Sequence, residues 1–141
     1  MNRRQFLEYV DHFNNKRYDA VTSYFAHDVT VEYYDDATYT GPPARTVHGA
    51  KEFIGHYKAL HEHTREAMEL GTFMSSGNHM LVELYTEFHT FNDPPADSGR
   101  KWKKGDVTVM TNFVLYNFEA GKMKRIRIAH FRMHDPATAR L

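Results

Sequence analysis

Tyr9, Tyr33, Asp35, Asn112 and His130 are the residues whose types and settings in this chain could move a proton. His130 lies in a β-prone run over residues 122–133, where alternation puts it on one face with Ile126 and Ile128 and puts Arg125 and Arg127 on the other. That pattern predicts an internal imidazole deep in the last strand. Its ordinary pKa would suit a general base near neutrality. Asp35 follows the run 29–34 and is the alternative base, at the mouth of any cavity that run helps to line; its neighbour Asp36 reads as solvated. Tyr33 shares a face with Val29 and Val31, so its hydroxyl could donate to a carbonyl or hydroxyl oxygen or serve as an acid through water. Asn112, on the face of Met110 and Val114, could orient a substrate oxygen. Tyr9 and Tyr57 could share a hydrogen bond that makes one hydroxyl a better donor. Arg132, one pleat beyond His130, could hold an anionic group at the rim. Each also has a plain packing role, such as a core tyrosine whose hydroxyl finds a backbone partner.

The elements that must position these groups can be read from hydrophobic period. Residues 4–15 carry Phe6, Leu7, Tyr9, Val10 and Phe13 as a helical stripe, and residues 18–25 carry Tyr18, Val21, Tyr24 and Phe25 as a second. A strand over 29–34 follows, then a loop over 35–48 holding Gly41-Pro42-Pro43. A third helix spans 49–63 with Phe53, Ile54, Tyr57 and Leu60 on its apolar side. Strands over 66–74 and 79–91 are joined by Ser75-Ser-Gly-Asn78. A polar loop over 92–105 contains Arg100-Lys-Trp-Lys-Lys104, and its length and Pro, Gly and Ser content predict a mobile cover with few buried contacts. Strands over 107–118 and 122–133, linked by Glu119-Ala-Gly121, form a hairpin. Both faces of the first of these carry apolar groups, so both should be covered. Helices first and a meander last predict an α+β fold, a bent and mostly antiparallel sheet curled round three N-terminal helices, in one domain over 1–141. Phe13, Phe53 and Met110 should then line the cavity beside the polar groups.

Composition excludes several function classes. Lys plus Arg and Asp plus Glu both number 18, so the chain is neutral and bulk charge gives no reason to expect nucleic acid or an anionic membrane as partner. Cysteine is absent, which removes disulfides, thiolate catalysis and Cys-based zinc sites. His56, His61 and His63 lack the spacing of a zinc helix, and no metal is expected. No nucleotide-binding glycine motif occurs. No segment reaches the ~18 apolar residues of a membrane span, and no signal-peptide core is present, so the chain reads as cytoplasmic. Fourteen per cent aromatic residues, with nine Tyr and ten His, supply the material for a pocket.

The helix pair leading into Asp28-Val-Thr-Val-Glu-Tyr33, the third-helix stretch Val47-His-Gly-Ala-Lys-Glu-Phe-Ile-Gly-His-Tyr57 and the Gly121-Lys-Met turn resemble the SnoaL-like, or nuclear transport factor two-like, superfamily over almost the whole chain. The resemblance implies a cone-shaped α+β barrel, a homodimer formed through the convex sheet face, and a cofactor-independent pocket. That sheet face would present Val109, Thr111, Phe113, Leu115, Ala129 and Phe131. In the similar Δ5-3-ketosteroid isomerases Tyr9 falls on the oxyanion-hole tyrosine and Tyr57 on a supporting tyrosine. The two carboxylates of those enzymes fall at Tyr33 and Met110 and are missing. In scytalone dehydratase, also similar, Tyr33 falls on the catalytic tyrosine and Asn112 on a substrate-binding asparagine. One of its histidines falls near Ala67 and has no match; the other falls at Thr90 or, with a one-residue shift, His89. The Asp-Arg-Asp pattern of limonene epoxide hydrolases has no counterpart. The resemblance implies acid–base lyase or isomerase chemistry on a hydrophobic, oxygenated, aromatic or polycyclic molecule: isomerisation, dehydration, cyclisation or retro-aldol cleavage, the last known for related lyases acting on lignin-derived diaryl compounds. The alternative is a non-catalytic binding or docking module of the same fold.

Overall fold

The computed structural model describes residues 1–35 and 41–141; Asp36 and the centre of the 35–48 loop lie outside the described residues. Among the described residues there are three α-helices, α1 (Arg3–Asn14), α2 (Tyr18–Thr22) and α3 (Gly49–His61). The strands are β1 (Phe25–Tyr34), β2 (Arg45–His48), β3 (Thr64–Ser76), β4 (His79–Thr90), β5 (Val107–Glu119) and β6 (Lys122–His134). The strands form one curved sheet in the order β2-β1-β6-β5-β4-β3, antiparallel except where β1 runs parallel to β6. This is the α+β architecture that the sequence predicts.

Two differences from the sequence reading bear on the packing around the site. Phe25 belongs to β1, not to the second helix; it packs edge-on against Phe53 of α3 with ring centroids 4.9 Å apart, a tertiary contact that outweighs the local helical stripe. The stretch read as loop up to His48 contains β2, which pairs antiparallel with residues 30–33 of β1.

α1 begins with a capping box in which Asn2 and Gln5 exchange side-chain and backbone hydrogen bonds. Its stripe of Phe6, Tyr9, Val10 and Phe13 is buried against the concave face of the sheet. Phe6 is fully enclosed, with ring neighbours Tyr9, Phe73 and Tyr116. The β5–β6 turn needs positive φ at Ala120 and Gly121, the geometry that lets a two-residue link follow the strand twist. A bulge between Thr111 and Asn112 sets Asn112 opposite His130 and Thr111 opposite Arg132, leaving Phe131 as the extra residue.

The convex face is covered in part by the end of the chain. Glu87, whose side chain is fully enclosed, accepts hydrogen bonds from the backbone N–H of Arg140 and of Leu141, from Tyr85 Oη at 2.8 Å and from His89 Nε2 at 2.8 Å. Arg140 forks onto Glu69 at 2.7 and 2.9 Å and lies over the Tyr85 ring. Val109 and Thr111 are therefore buried, and the apolar patch expected across the face is narrower than its sequence suggested. Its exposed part holds Phe131 and Ala129, beside Phe113 and Leu115.

Candidate functional site

Between the concave face and the helices lies a cavity of 280 Å³. Its apolar wall comes from α1 (Phe13), α3 (Phe53, Leu60) and the sheet (Val31, Val114, Ile126). Strand alternation delivers the polar groups: Tyr33 follows Val31 by two residues on β1, and Asn112 precedes Val114 by two on β5. The lining residues that are also exposed are Asp35, Ala44, Arg45 and His130, and they mark the mouth.

Inside, Tyr33 Oη and Tyr57 Oη are hydrogen-bonded at 2.8 Å. Burial pushes both phenols well up, so both hydroxyls keep their hydrogens and act as donors. The tyrosine pair expected from the sequence is Tyr9 with Tyr57; the structure pairs Tyr57 with Tyr33, while the Tyr9 ring packs against Phe6 and Tyr24. Asn112 is 7% exposed. Its Nδ2 donates to Thr86 Oγ1 at 3.3 Å, while its Oδ1 has no partner among the described residues. An enclosed carbonyl oxygen without a donor is costly, and here it faces space that a ligand donor could fill.

Glu66, from β3, is the carboxyl of the cavity wall. It is 8% exposed and its Oε2 lies 3.0 Å from Nε2 of His61. Burial raises its pKa; the hydrogen bond from His61 and the charges of His130 and Arg100 oppose that rise without cancelling it. A carboxyl held in this way keeps its proton to higher pH than an exposed one. Sequence reasoning missed it. The available signal was its face: Glu66 shares the alternation of β3 with Met68 and Leu70, so a carboxylate stands on an apolar strand face.

At the mouth, His130 Nδ1 lies 2.5 Å from Asp35 Oδ1. The two candidate bases thus form one pair at the cavity mouth, with the imidazole oriented by the carboxylate. His130 is not the deep, internal imidazole that its strand face predicted. Its side chain is one-third exposed, since β6 runs out beyond the helices after Ile128, whereas His61 is 5% exposed. Arg132 does not line the cavity: the bulge turns it opposite Thr111. Met110 is buried in the core but sits past the end of the cavity wall. Tyr9, Phe13, Phe53 and Tyr57 line it as expected. The 92–105 loop has more anchoring than its composition predicts. Trp102 packs on Phe88 at 4.9 Å, Gly105 N–H donates to Thr90 O, and Lys104 N–H donates to Asp93. Arg100 and Trp102 from this loop line the cavity, as does His56 of α3. Arg45 donates to His56 Nδ1 at 2.9 Å; burial, then the charges of Arg45 and Arg100, pull the His56 pKa down to about 4. No cluster of three or more metal-ligating side chains forms among the described residues.

A family model described as the SnoaL-like domain matches residues 6–126. The chain belongs to the SnoaL-like family. Solved structures agree on the fold of this SnoaL-like domain. A candidate polyketide cyclase from Xanthomonas campestris pv. campestris superposes with a TM-score of 0.69 at 17% identity, over 87% of this chain and 84% of that one. An NTF2-like protein of unknown function from Burkholderia pseudomallei K96243 gives 0.68 at 20% identity, over 95% and 90%. An LEH-like epoxide hydrolase from M. tuberculosis gives 0.64 at 9% identity, over 91% and 80%. Among curated protein sequences nothing matches the chain. At these identities the likeness carries the fold, and the chemistry must be argued from the site. This SnoaL-like chain takes its buried carboxyl from β3 instead of from Tyr33 or Met110, the positions where similarity to ketosteroid isomerases would place one. No helix among the described residues is long and apolar enough to cross a membrane.

Proposed function

We propose that this SnoaL-like domain is a cofactor-independent lyase- or isomerase-type enzyme that moves protons on a hydrophobic, oxygenated, ring-containing small molecule. Glu66 is the observation that carries the reading. A carboxyl with a raised pKa, enclosed in an apolar cavity and faced by fixed hydroxyl donors, has little to do in a mere container, and its burial costs stability. Glu66 takes or delivers the proton. Tyr33, backed by Tyr57, donates to the substrate oxygen on which negative charge develops. Asn112 Oδ1 accepts from a second substrate group, which must be an O–H or N–H. The His130–Asp35 pair is a second proton carrier at the mouth, where a leaving hydroxyl or incoming water would pass. The cavity of 280 Å³ falls near the lower end of the ~300–1,000 Å³ usual for ligand pockets and suits a compact hydroxy-ketone or phenol. Reactions with these needs are isomerisation, dehydration, cyclisation and retro-aldol cleavage.

The test is NMR in D2O against aryl ketones, β-hydroxy ketones and hydroxylated bicyclic ketones. The wild-type chain should convert, or exchange the C–H hydrogens of, one of these classes. Glu66→Gln should lose ~10²–10⁴ of the rate, the usual worth of a positioned acid or base. Compounds that shift the Trp102 and Tyr33 resonances yet undergo no exchange and no conversion would make the domain a binding module.

A further inference from the structure

Glu66 is tied to a second surface groove by two hydrogen bonds. Beyond its contact with His61 Nε2 at 3.0 Å, His61 Nδ1 lies 2.7 Å from Tyr18 Oη. The imidazole is held flat against the Tyr18 ring, with an interplanar angle of 19°, and edge-on to Phe13. Tyr18 opens α2 and is half-buried. Its outer side lines a surface groove with Lys16, Arg17, Ile54 and Lys58. None of these groove residues lines the cavity, and none of the mouth residues Asp35, Arg45 and His130 lines the groove. A carboxyl–imidazole–phenol chain therefore joins the cavity wall to a second, separate patch of solvent.

We infer that Tyr18 and His61 form a proton relay between Glu66 and the solvent of this groove, so that the cavity carboxyl is reset while substrate closes the mouth. The inference rests on the reading of Glu66 as the proton-transferring group. The bookkeeping closes with one proton. With Glu66 protonated, its O–H donates to His61 Nε2, His61 Nδ1–H donates to Tyr18 Oη, and the Tyr18 hydroxyl donates to water. As each hydrogen shifts along its own bond, Glu66 becomes a carboxylate, His61 carries its hydrogen on Nε2, Tyr18 donates to Nδ1, and water has gained one proton. Heavy atoms stay in place in both states, and the imidazole is neutral in each. Other charged or titratable groups facing the chain are Tyr9 of α1, Tyr33 of β1, His56 and Tyr57 of α3, His130 of β6 and Arg100 of the 92–105 loop, with Lys58 above the Tyr18 ring.

The competing arrangement is a fixed ion pair, with imidazolium on carboxylate and Tyr18 as an anchor. NMR of the full chain without ligand separates the two. With 15N-histidine, 13C-glutamate and 13C-tyrosine labels, the pH is taken from about 4 to 9, a span that brackets ordinary and raised carboxyl values. The relay requires the His61 hydrogen to move from Nδ1 to Nε2 over the interval in which Glu66 13Cδ titrates. Tyr18 13Cζ must shift in step as its hydroxyl turns from acceptor to donor. Glu66→Gln must abolish the switch and leave one tautomer throughout. His61 with hydrogens on both nitrogens across the Glu66 titration, or with one unchanging tautomer in the wild type, overturns the relay. Those results would leave the role of Glu66 in turnover standing, because that role is read separately from substrate exchange.

Discussion

Tyr33 and Tyr57 meet hydroxyl to hydroxyl at 2.8 Å in the wall of a cavity otherwise lined by Phe13, Phe53, Leu60 and Val31. Two phenols can share only one hydrogen in such a contact, so the pair keeps a second hydrogen to offer a substrate oxygen. Water-excluded donors of this kind are worth most where charge develops during reaction. Tyr33→Phe should lower kcat by ~10²–10³ and change ligand affinity much less, the pattern of a group used in the transition state. Tyr57→Phe should cost less, since it removes the support and leaves the donor. Steady-state kinetics on the substrate class found by exchange would check the order; a larger loss in Tyr57→Phe than in Tyr33→Phe would mean that Tyr57, not Tyr33, reaches the substrate oxygen.

Glu66 gives a stability prediction with a definite sign. Its folded pKa is raised by burial, above the unfolded value. The stabilisation associated with its proton is fully present below the unfolded pKa and is lost as pH rises through the folded one. Glu66→Gln keeps the shape and abolishes the charge. Its urea midpoint should equal or exceed that of the wild type at pH above the folded value, and the difference should vanish or reverse on acidification. A variant less stable than the wild type at high pH would show that the His61 contact outweighs the desolvation of Glu66.

Tyr33 and Asn112 were legible in the sequence because strand alternation ties each to apolar neighbours, Val31 and Val114, on the concave face. The helix stripes were legible for the same reason at a different period, and Phe13, Phe53 and Tyr57 reach the cavity through them. Glu66 escaped notice because a charged residue near the start of a strand ordinarily reads as an outward one. Its burial depends on His61, five residues earlier in sequence and on a different element. His130 was placed on the correct strand face, but depth is set by how far the helices extend over that strand, and no local pattern encodes that. Arg132 was misplaced by the bulge at Phe131, since a single inserted residue turns every later side chain to the other face. β2 is four residues long and follows a Pro-Pro loop, too short for a period to register.

Glu87 makes the last residues of the chain sensitive to acid. Enclosure alone would raise its pKa. Donors from Arg140 N–H, His89, Leu141 N–H and Tyr85 outweigh that and bring it down to about 2. A depressed carboxyl contributes stability above its unfolded pKa and loses it as pH falls towards the folded one. The segment from Asp135 to Leu141 should therefore stay docked above roughly pH 4.5, the ordinary range for Glu, and release as pH falls to about 2. Amide exchange at Arg140 and Leu141, compared with that of core strand β5, reads this directly. Glu87→Ala should raise exchange at both amides at neutral pH; protection unchanged in that variant would mean that the Arg140–Glu69 pair alone holds the segment.

Phe6 measures how much the helix layer contributes. It is fully enclosed, stacks on Tyr9, meets Tyr116 edge-on and packs at a tilt against Phe73. Phe6→Ala should cost ~3–5 kcal/mol in denaturant unfolding, the sum of lost transfer energy and an unfilled cavity. A loss below ~2 kcal/mol would indicate that α1 shifts to refill the space, and the cavity-lining Tyr9 and Phe13 would move with it.

The convex patch bears on how many copies assemble. Phe131 is 62% exposed and Ala129 beside it is exposed; the Phe131 ring sits 4.7 Å from Phe113, and Leu115 lies two residues further along the same face of β5. Contiguous apolar surface is rarely left wet. With Val109 and Thr111 already covered, the expected interface is this reduced patch, self-complementary about a two-fold axis. Light scattering at micromolar concentration should then give twice the 16.5 kDa chain mass. Phe131→Asp should return the mass to that of one chain while Trp102 fluorescence and ligand binding stay as in the wild type, because Phe131 and the cavity lie on opposite faces of the sheet. A wild-type chain that scatters as a monomer would remove the dimer. A Phe131→Asp chain that remains dimeric would move the interface elsewhere on the sheet. Loss of ligand binding with the dimer intact would invert the two faces.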